Sequence, residues 1–179
     1  GPRFAEDLKS DAAQAIVYSI AAIFLYILLR FRNWRFSTGA VAALIHDVTI
    51  TLGIFTFLSD FVDFNLQIDQ AIIAAFLTIV GYSLNDTVVV FDRIRENSRI
   101  HKGEALETMI NRSLNDTLSR TVITSITTLF VVTVLFIFGG EVLKGLSFAL
   151  IIGVILGTYS SLYVASALVV ELETRTKKS

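Results

Sequence analysis

The sequence predicts an all-α membrane protein, a polytopic bundle of five transmembrane helices. Hydrophobic residues occupy 54% of the 179 positions and charged residues only 17%, whereas soluble domains carry about 25% charged residues. The mean hydropathy is +0.68. A helix needs about 20 mostly apolar residues to cross a bilayer. The apolar runs therefore predict a transmembrane domain over residues 12–170, with spans at about 12–29, 37–59, 70–91, 119–140 and 145–170.

The positive charges predict how these spans are oriented. Eleven of the 15 Lys and Arg residues fall in the first connection, the third connection and the C-terminal tail. Connections rich in Lys and Arg stay in the cytoplasm. We therefore expect residues 1–11 to be a lead-in on the outer side and residues 171–179 to be a cytoplasmic tail.

The third connection contains an additional predicted helix. Apolar and small residues recur there at helical spacing, with polar residues on the other faces. This pattern indicates a cytoplasmic amphipathic helix that lies at the membrane interface or packs beneath the bundle. The residues that define its apolar face are Leu106, Met109, Ile110, Ser113, Leu114 and Leu118.

The last span has a small residue at every fourth position. Small residues at this spacing allow helix backbones to approach closely inside a membrane, where lipid provides no hydrophobic drive for association. We interpret the stripe as a packing surface. Its members are Gly153, Gly157, Ser161 and Ala165.

The residue that most needs an explanation is Asp86, a carboxylate inside the third span. Placing a charge at such a depth costs on the order of 3 kcal/mol. Burial disfavours the charged form and a neighbouring Arg favours it, so a site that alternates between these conditions can load and release a proton. We predict a proton- or ion-coupled site formed by Asp86 and Arg120, which opens the fourth span. His46, Asp47, Asn85 and Thr124 are predicted to support it.

Simpler interpretations of these polar groups remain open at this stage. Arg120 can extend its charged end to the membrane surface. His46 and Asp47 can form a hydrogen-bonded pair that joins helices. Asp116 lies one turn before Arg120 and can weaken its pairing.

Several enzyme classes do not fit the sequence. It has no Cys and two His, so it offers no thiolate or multi-His metal site. It has no phosphate-binding Gly-rich loop. An intramembrane aspartyl protease would need a Gly-x-Gly-Asp pattern and a Pro-Ala-Leu element, but Pro2 is the only proline. We therefore predict no enzymatic activity, no cofactor and no nucleic-acid partner.

Four segments resemble the SecF family, whose members are subunits of the bacterial SecD–SecF protein-export complex of the RND superfamily. The longest segment, Val80–Asn97, is similar to the fourth transmembrane helix of that family. The resemblance implies that the chain corresponds to helices two to six, without the first helix and the periplasmic domain. The other similar segments are Ala43–Val48, Leu118–Ser125 and Gly153–Ala167.

The resemblance also implies a function. Members of the family use the proton-motive force to assist late, ATP-independent steps of preprotein export through the SecYEG translocon in the bacterial inner membrane. The family's proton-conducting residues correspond to Asp86 and Arg120, together with an Asp from the paired SecD subunit. The alternative is another H⁺- or Na⁺-coupled RND-type transporter of a small substrate, and a purely structural scaffold would require Asp86 to be dispensable.

Overall fold

The computed structural model describes residues 2–178 and the side chains of residues 10, 11 and 13–176. Gly1 of the predicted lead-in and Ser179 of the predicted tail lie outside the described residues. The described part of the chain folds into five α-helices, and each contains a segment long and apolar enough to cross a membrane. The predicted five-span helical class is therefore confirmed. The helices are α1 (Pro2–Phe31), α2 (Trp34–Leu58), α3 (Gln70–Ile100), α4 (Leu106–Phe138) and α5 (Glu141–Lys178).

The structure corrects one detail of the predicted architecture. The amphipathic stretch after residue 105 is not a separate interfacial helix, because it continues without a break into the fourth span as the start of α4. Met109 and Ile110 on this stretch are buried in the same hydrophobic cluster as α2, α3 and α5 residues. The apolar face is thus used for packing within the bundle. Helix α1 also begins earlier than the predicted span, at Pro2.

Helix α5 is the central helix of the bundle and packs against α2, α3 and α4. Its stripe of small residues explains these close contacts. A side chain at Gly153 would overlap with Ile79 of α3, and a Cβ at Gly157 would lie 3.0 Å from the Cβ of Ser83. Ser161 and Ala165 are fully buried. The predicted packing role of this stripe is confirmed.

Two hydrophobic clusters fill the bundle, and a layer of buried polar residues separates them along the helices. One cluster includes Ala43, Val90 and Leu162, and the other includes Phe55 and Ile79. The buried residues between the clusters in sequence are mainly polar, so the middle of the bundle is a hydrogen-bonding layer. We call these residues the polar layer: Asp47, Thr51, Ser83, Asp86, Thr87, Thr121, Ser125, Ser160 and Ser161.

The two ends of the bundle differ in charge. The α1–α2 and α3–α4 connections and the end of α5 meet at one end, which we call the basic end. Arg30 at the end of α1 lies 2.9 Å from Asp92 of α3, and Arg35 at the start of α2 lies 2.6 Å from Glu173 of α5. At the opposite end, the Asp69 carboxylate accepts a hydrogen bond from the backbone of Ile72 and caps α3.

The close contact at Gly153 gives a test of this packing. Replacing Gly153 with Ala should destabilise the bundle by about 1–3 kcal/mol, because the new methyl group overlaps with Ile79. Gly53→Ala is the matched control, since a Cβ added at Gly53 would have no atom within 4 Å. It should be neutral or stabilise the helix by up to about 1 kcal/mol. Thermal unfolding in detergent measures both, and equal effects would contradict the packing.

Candidate functional site

Asp86 lies on the buried face of α3, in the polar layer. Only 4% of the residue is exposed. Its Oδ2 atom is buried and has no hydrogen-bond partner among the described residues. More than about 90% of buried polar groups in proteins have such a partner. A buried carboxylate with an unused oxygen has the setting expected of a group that binds and releases a proton.

Arg120 lies on α4 with its side chain exposed, and within the described part of the chain it forms no ion pair. It is nevertheless within electrostatic reach of Asp86. The two predicted site residues are therefore near one another without direct contact. The site therefore pairs a buried carboxylate with a guanidinium that stays positively charged.

Arg120 borders an open cleft of about 340 Å³ at the basic end of the bundle. The cleft lies between α3 and α4 and carries charges of both signs. Its lining residues are Val89, Asp92, Arg93, Glu96, Asp116, Thr117 and Arg120.

Asp116, which the sequence places one turn before Arg120, forms its ion pair with a different arginine. Its carboxylate instead lies 2.7 Å from Arg93 Nη2 of α3 and accepts a hydrogen bond from the Asn97 side chain at 3.2 Å. Asn97 also donates to the Ser113 hydroxyl at 2.9 Å. These contacts connect α3 to α4.

Asp47 is the most highly connected member of the polar layer. Only 1% of it is exposed. Its Oδ2 atom accepts hydrogen bonds from the hydroxyls of Ser83 and Ser160, each at 2.6 Å. His46 Nδ1 lies 3.0 Å from its Oδ1 atom. The interpretation of His46 and Asp47 as a pair that joins helices therefore agrees with the structure, since Asp47 links α2 to α3 and α5.

A second hydrogen-bonded group joins α3, α4 and α5. Tyr82 of α3 donates to the Ser125 hydroxyl at 3.3 Å. The hydroxyls of Ser125 and Thr158 are 2.6 Å apart. Three helices thus meet at Ser125, one turn beyond Thr121 on α4.

The remaining predicted supporting residues, Asn85 and Thr124, form no side-chain hydrogen bond to another helix among the described residues. Asn85 lies exposed on α3. The Thr124 hydroxyl donates to the Arg120 carbonyl oxygen on its own helix at 2.9 Å. Sequence reasoning missed Ser160, although two adjacent serines, Ser160 and Ser161, in an apolar span are a signal for it. Among the described residues, no group of three His, Asp or Glu side chains is placed to hold a metal ion.

The fold and the site define a polytopic helical membrane protein with carboxylates buried between its helices. The family model described as "Protein export membrane protein SecD/SecF, C-terminal" matches residues 1–175. The chain belongs to this SecD/SecF family.

Individual relatives agree with this assignment. The chain is 65% identical over 175 residues to "Protein translocase subunit SecF" of Rhodothermus marinus, covering 98% of the chain and 56% of the relative. It is 52% identical over 173 residues to the Vibrio alginolyticus protein of that name, covering 96% of the chain and 52% of the relative. The chain thus spans about half the length of these relatives.

A solved structure has the same fold. The chain matches the crystal structure of SecDF, a translocon-associated membrane protein from Thermus thermophilus, with a TM-score of 0.88 and 43% sequence identity. The match covers 97% of the chain and 23% of the SecDF chain. The five-helix arrangement is therefore that of one segment of a larger membrane protein.

The connection between α3 and α4 beneath Arg120 can be tested at Asn97. Asn97→Ala should reduce the free energy of unfolding by about 1–3 kcal/mol, because Ser113 and Asp116 lose a buried donor. Asn115→Ala is the matched control on exposed α4 surface and should change it by less than about 0.5 kcal/mol. Both changes alter helix propensity equally, so thermal unfolding isolates the hydrogen bonds. Similar losses for the two variants would contradict this account.

Proposed function

We propose that the chain is the transmembrane part of a protein-export subunit that uses the proton-motive force to assist late, ATP-independent steps of preprotein translocation. The observation that carries the proposal is the buried Asp86 carboxylate, which has an unpartnered oxygen among the described residues and lies within reach of Arg120. Moving one charge through a potential of 100 mV provides about 2.3 kcal/mol. That is enough to shift a two-state equilibrium by about fiftyfold. The proposed energy source is a proton gradient.

The proposed path of the proton uses two sides of Asp86. The proton binds to the Asp86 carboxylate within the polar layer, where the neutral carboxyl group needs no ionic partner. It leaves past Arg120 into the cleft between α3 and α4, which opens at the basic end. Arg120 stabilises the carboxylate after the proton has left, because an adjacent positive charge favours the ionised form.

The proposed partner is a SecD-type subunit that packs on the exposed side of α3. This side carries small and polar residues at helical spacing, and Asn85 would be costly to expose to lipid. Small residues favour contact with another helix. The Thermus thermophilus relative, 44% identical over 177 residues, is named SecDF and is about four times longer than the matched segment, which covers 23% of it. The residues of this side are Ala74, Thr78, Gly81 and Asn85, all of them exposed.

The whole complex is proposed to work beside the SecYEG translocon in the bacterial inner membrane. The partner subunit would supply an Asp that faces Asp86 and Arg120. The basic end of the bundle would lie in the cytoplasm, because Lys and Arg are retained there. The acidic α2–α3 connection would face the outside.

Export assays on the complete subunit with its partner test the proposal. Asp86→Asn should reduce proton flux and gradient-dependent export of a secreted reporter to the level seen without a gradient, since an amide cannot exchange the proton. Asp63→Asn makes the same change at an exposed residue of the α2–α3 connection and should leave both unchanged. Wild-type flux and export in Asp86→Asn vesicles would overturn the proposal.

The orientation has its own test, which uses the absence of cysteine from the chain. A membrane-impermeant thiol reagent added to intact cells should label Asp63→Cys in the α2–α3 connection. Lys102→Cys, in the α3–α4 connection, should be labelled only after the membrane is opened. Both positions are exposed, so accessibility of the side chain is matched. The reverse labelling pattern would contradict the proposed orientation.

A further inference from the structure

The polar layer contains two carboxylates with opposite surroundings. Asp86 has an oxygen without a hydrogen-bond partner among the described residues. Asp47 has partners at both oxygens, two hydroxyls at Oδ2 and the His46 ring at Oδ1. A carboxylate whose oxygens are both occupied is suited to holding helices in place.

The hydroxyl contacts of Asp47 come from two different helices. Ser83 is on α3 and Ser160 is on α5, and both are fully buried. Each hydroxyl lies 2.6 Å from the same oxygen atom. Hydrogen bonds to a charged acceptor are short and about twice as strong as neutral ones. Asp47 therefore connects α2, α3 and α5 at a single level of the bundle.

Asp86 lies at the same position along the bundle as these Asp47 contacts. Ser83 precedes Asp86 by three residues, less than one helical turn. At Ser83 the α3 helix also touches the bare backbone of Gly157, where a Cβ would lie 3.0 Å from that of Ser83. The Thr87 hydroxyl donates to the Ser83 carbonyl oxygen at 3.0 Å. The α3 turn with Asp86 is therefore attached to its neighbours through Ser83.

We infer that Asp47 is a positioning residue for the proton-binding site. By holding the Ser83 hydroxyl, it fixes the height and rotation of the α3 turn that presents Asp86 towards Arg120. A shift or rotation of that turn has to break the bond between Ser83 and Asp47. The inference rests on the proposed function of Asp86, and it adds a second carboxylate that acts through helix position.

Ser83 and Ser160 provide a matched pair of variants. Ser83→Ala and Ser160→Ala each remove one buried hydroxyl from the same Asp47 oxygen and keep the Cβ, so their losses of thermal stability should be similar. Only Ser83→Ala releases the helix that carries Asp86. In the complete complex it should reduce proton flux about twofold to tenfold, the equilibrium equivalent of one net hydrogen bond. Ser160→Ala should keep most of the flux.

A chemical probe of Asp86 itself gives a readout that stability alone does not change. A hydrophobic carbodiimide modifies protonated carboxyl groups in membranes, and mass spectrometry measures its rate at Asp86. Ser83→Ala should change this rate at least about twofold, the low end of one hydrogen bond, and Ser160→Ala should not. Equal flux and equal labelling in the two variants would overturn the inference.

Variants of Asp47 separate positioning from proton transfer. Asp47→Asn keeps an oxygen that accepts both serine hydroxyls, so it should retain flux, whereas Asp47→Ala should lose it. If Asp47→Asn is as inactive as Asp86→Asn, Asp47 carries the proton and the inference is wrong. If Asp86→Asn is itself fully active, the proposed function fails. If Asp86→Asn is inactive and Asp47→Ala is fully active, only the inference fails.

Discussion

The interaction on which the bundle depends is the hydrogen bonding of Asp47 to Ser83 and Ser160. A bilayer offers no water to polar groups in its interior, so a carboxylate there has to find its partners within the protein. Asp47 does so by joining α2 to α3 and α5. The small residues of α5 make this possible, because Gly157 lets Ser83 approach. Close packing and hydrogen bonding thus require each other at this level.

The polar layer then separates two tasks between two carboxylates. Asp47 is surrounded by donors and holds three helices together. Asp86, three residues after Ser83 on α3, retains an oxygen without a partner among the described residues. The hydrophobic clusters on both sides of the layer keep the two carboxylates away from the ends of the bundle. Arg120 borders the cleft at the basic end.

Hydropathy alone was sufficient to predict the five helices, because a helix that crosses a membrane needs about 20 mostly apolar residues. The spacing of Gly153, Gly157, Ser161 and Ala165 was also sufficient to predict a packing face. The lengths of α1 and α4 were not predictable in this way, since polar residues extend both helices beyond the apolar runs. A continuous α4 depends on the burial of Met109 and Ile110 against other helices, which is a tertiary effect.

The site was predictable as a set of residues but not as a set of contacts. Asp47, Asp86 and Arg120 are conspicuous because charge is rare in apolar segments. Their partners are distant in sequence: Ser160 is 113 residues from Asp47, and Asp116 is 23 residues from Arg93. The sequence places Asp116 one turn before Arg120, but its ion pair is with Arg93 of α3. That ion pair forms only once α3 and α4 are packed together.

The central claim is that Asp86 is the carboxyl group that binds and releases the proton, whereas Asp47 holds the helices that position it. Infrared difference spectroscopy of the complete complex, acid minus neutral, measures this directly through the carbonyl band of protonated carboxyl groups. The account predicts a buried carboxyl band that disappears in Asp86→Asn and persists in Asp47→Asn. A band that persists in Asp86→Asn and disappears in Asp47→Asn would contradict it.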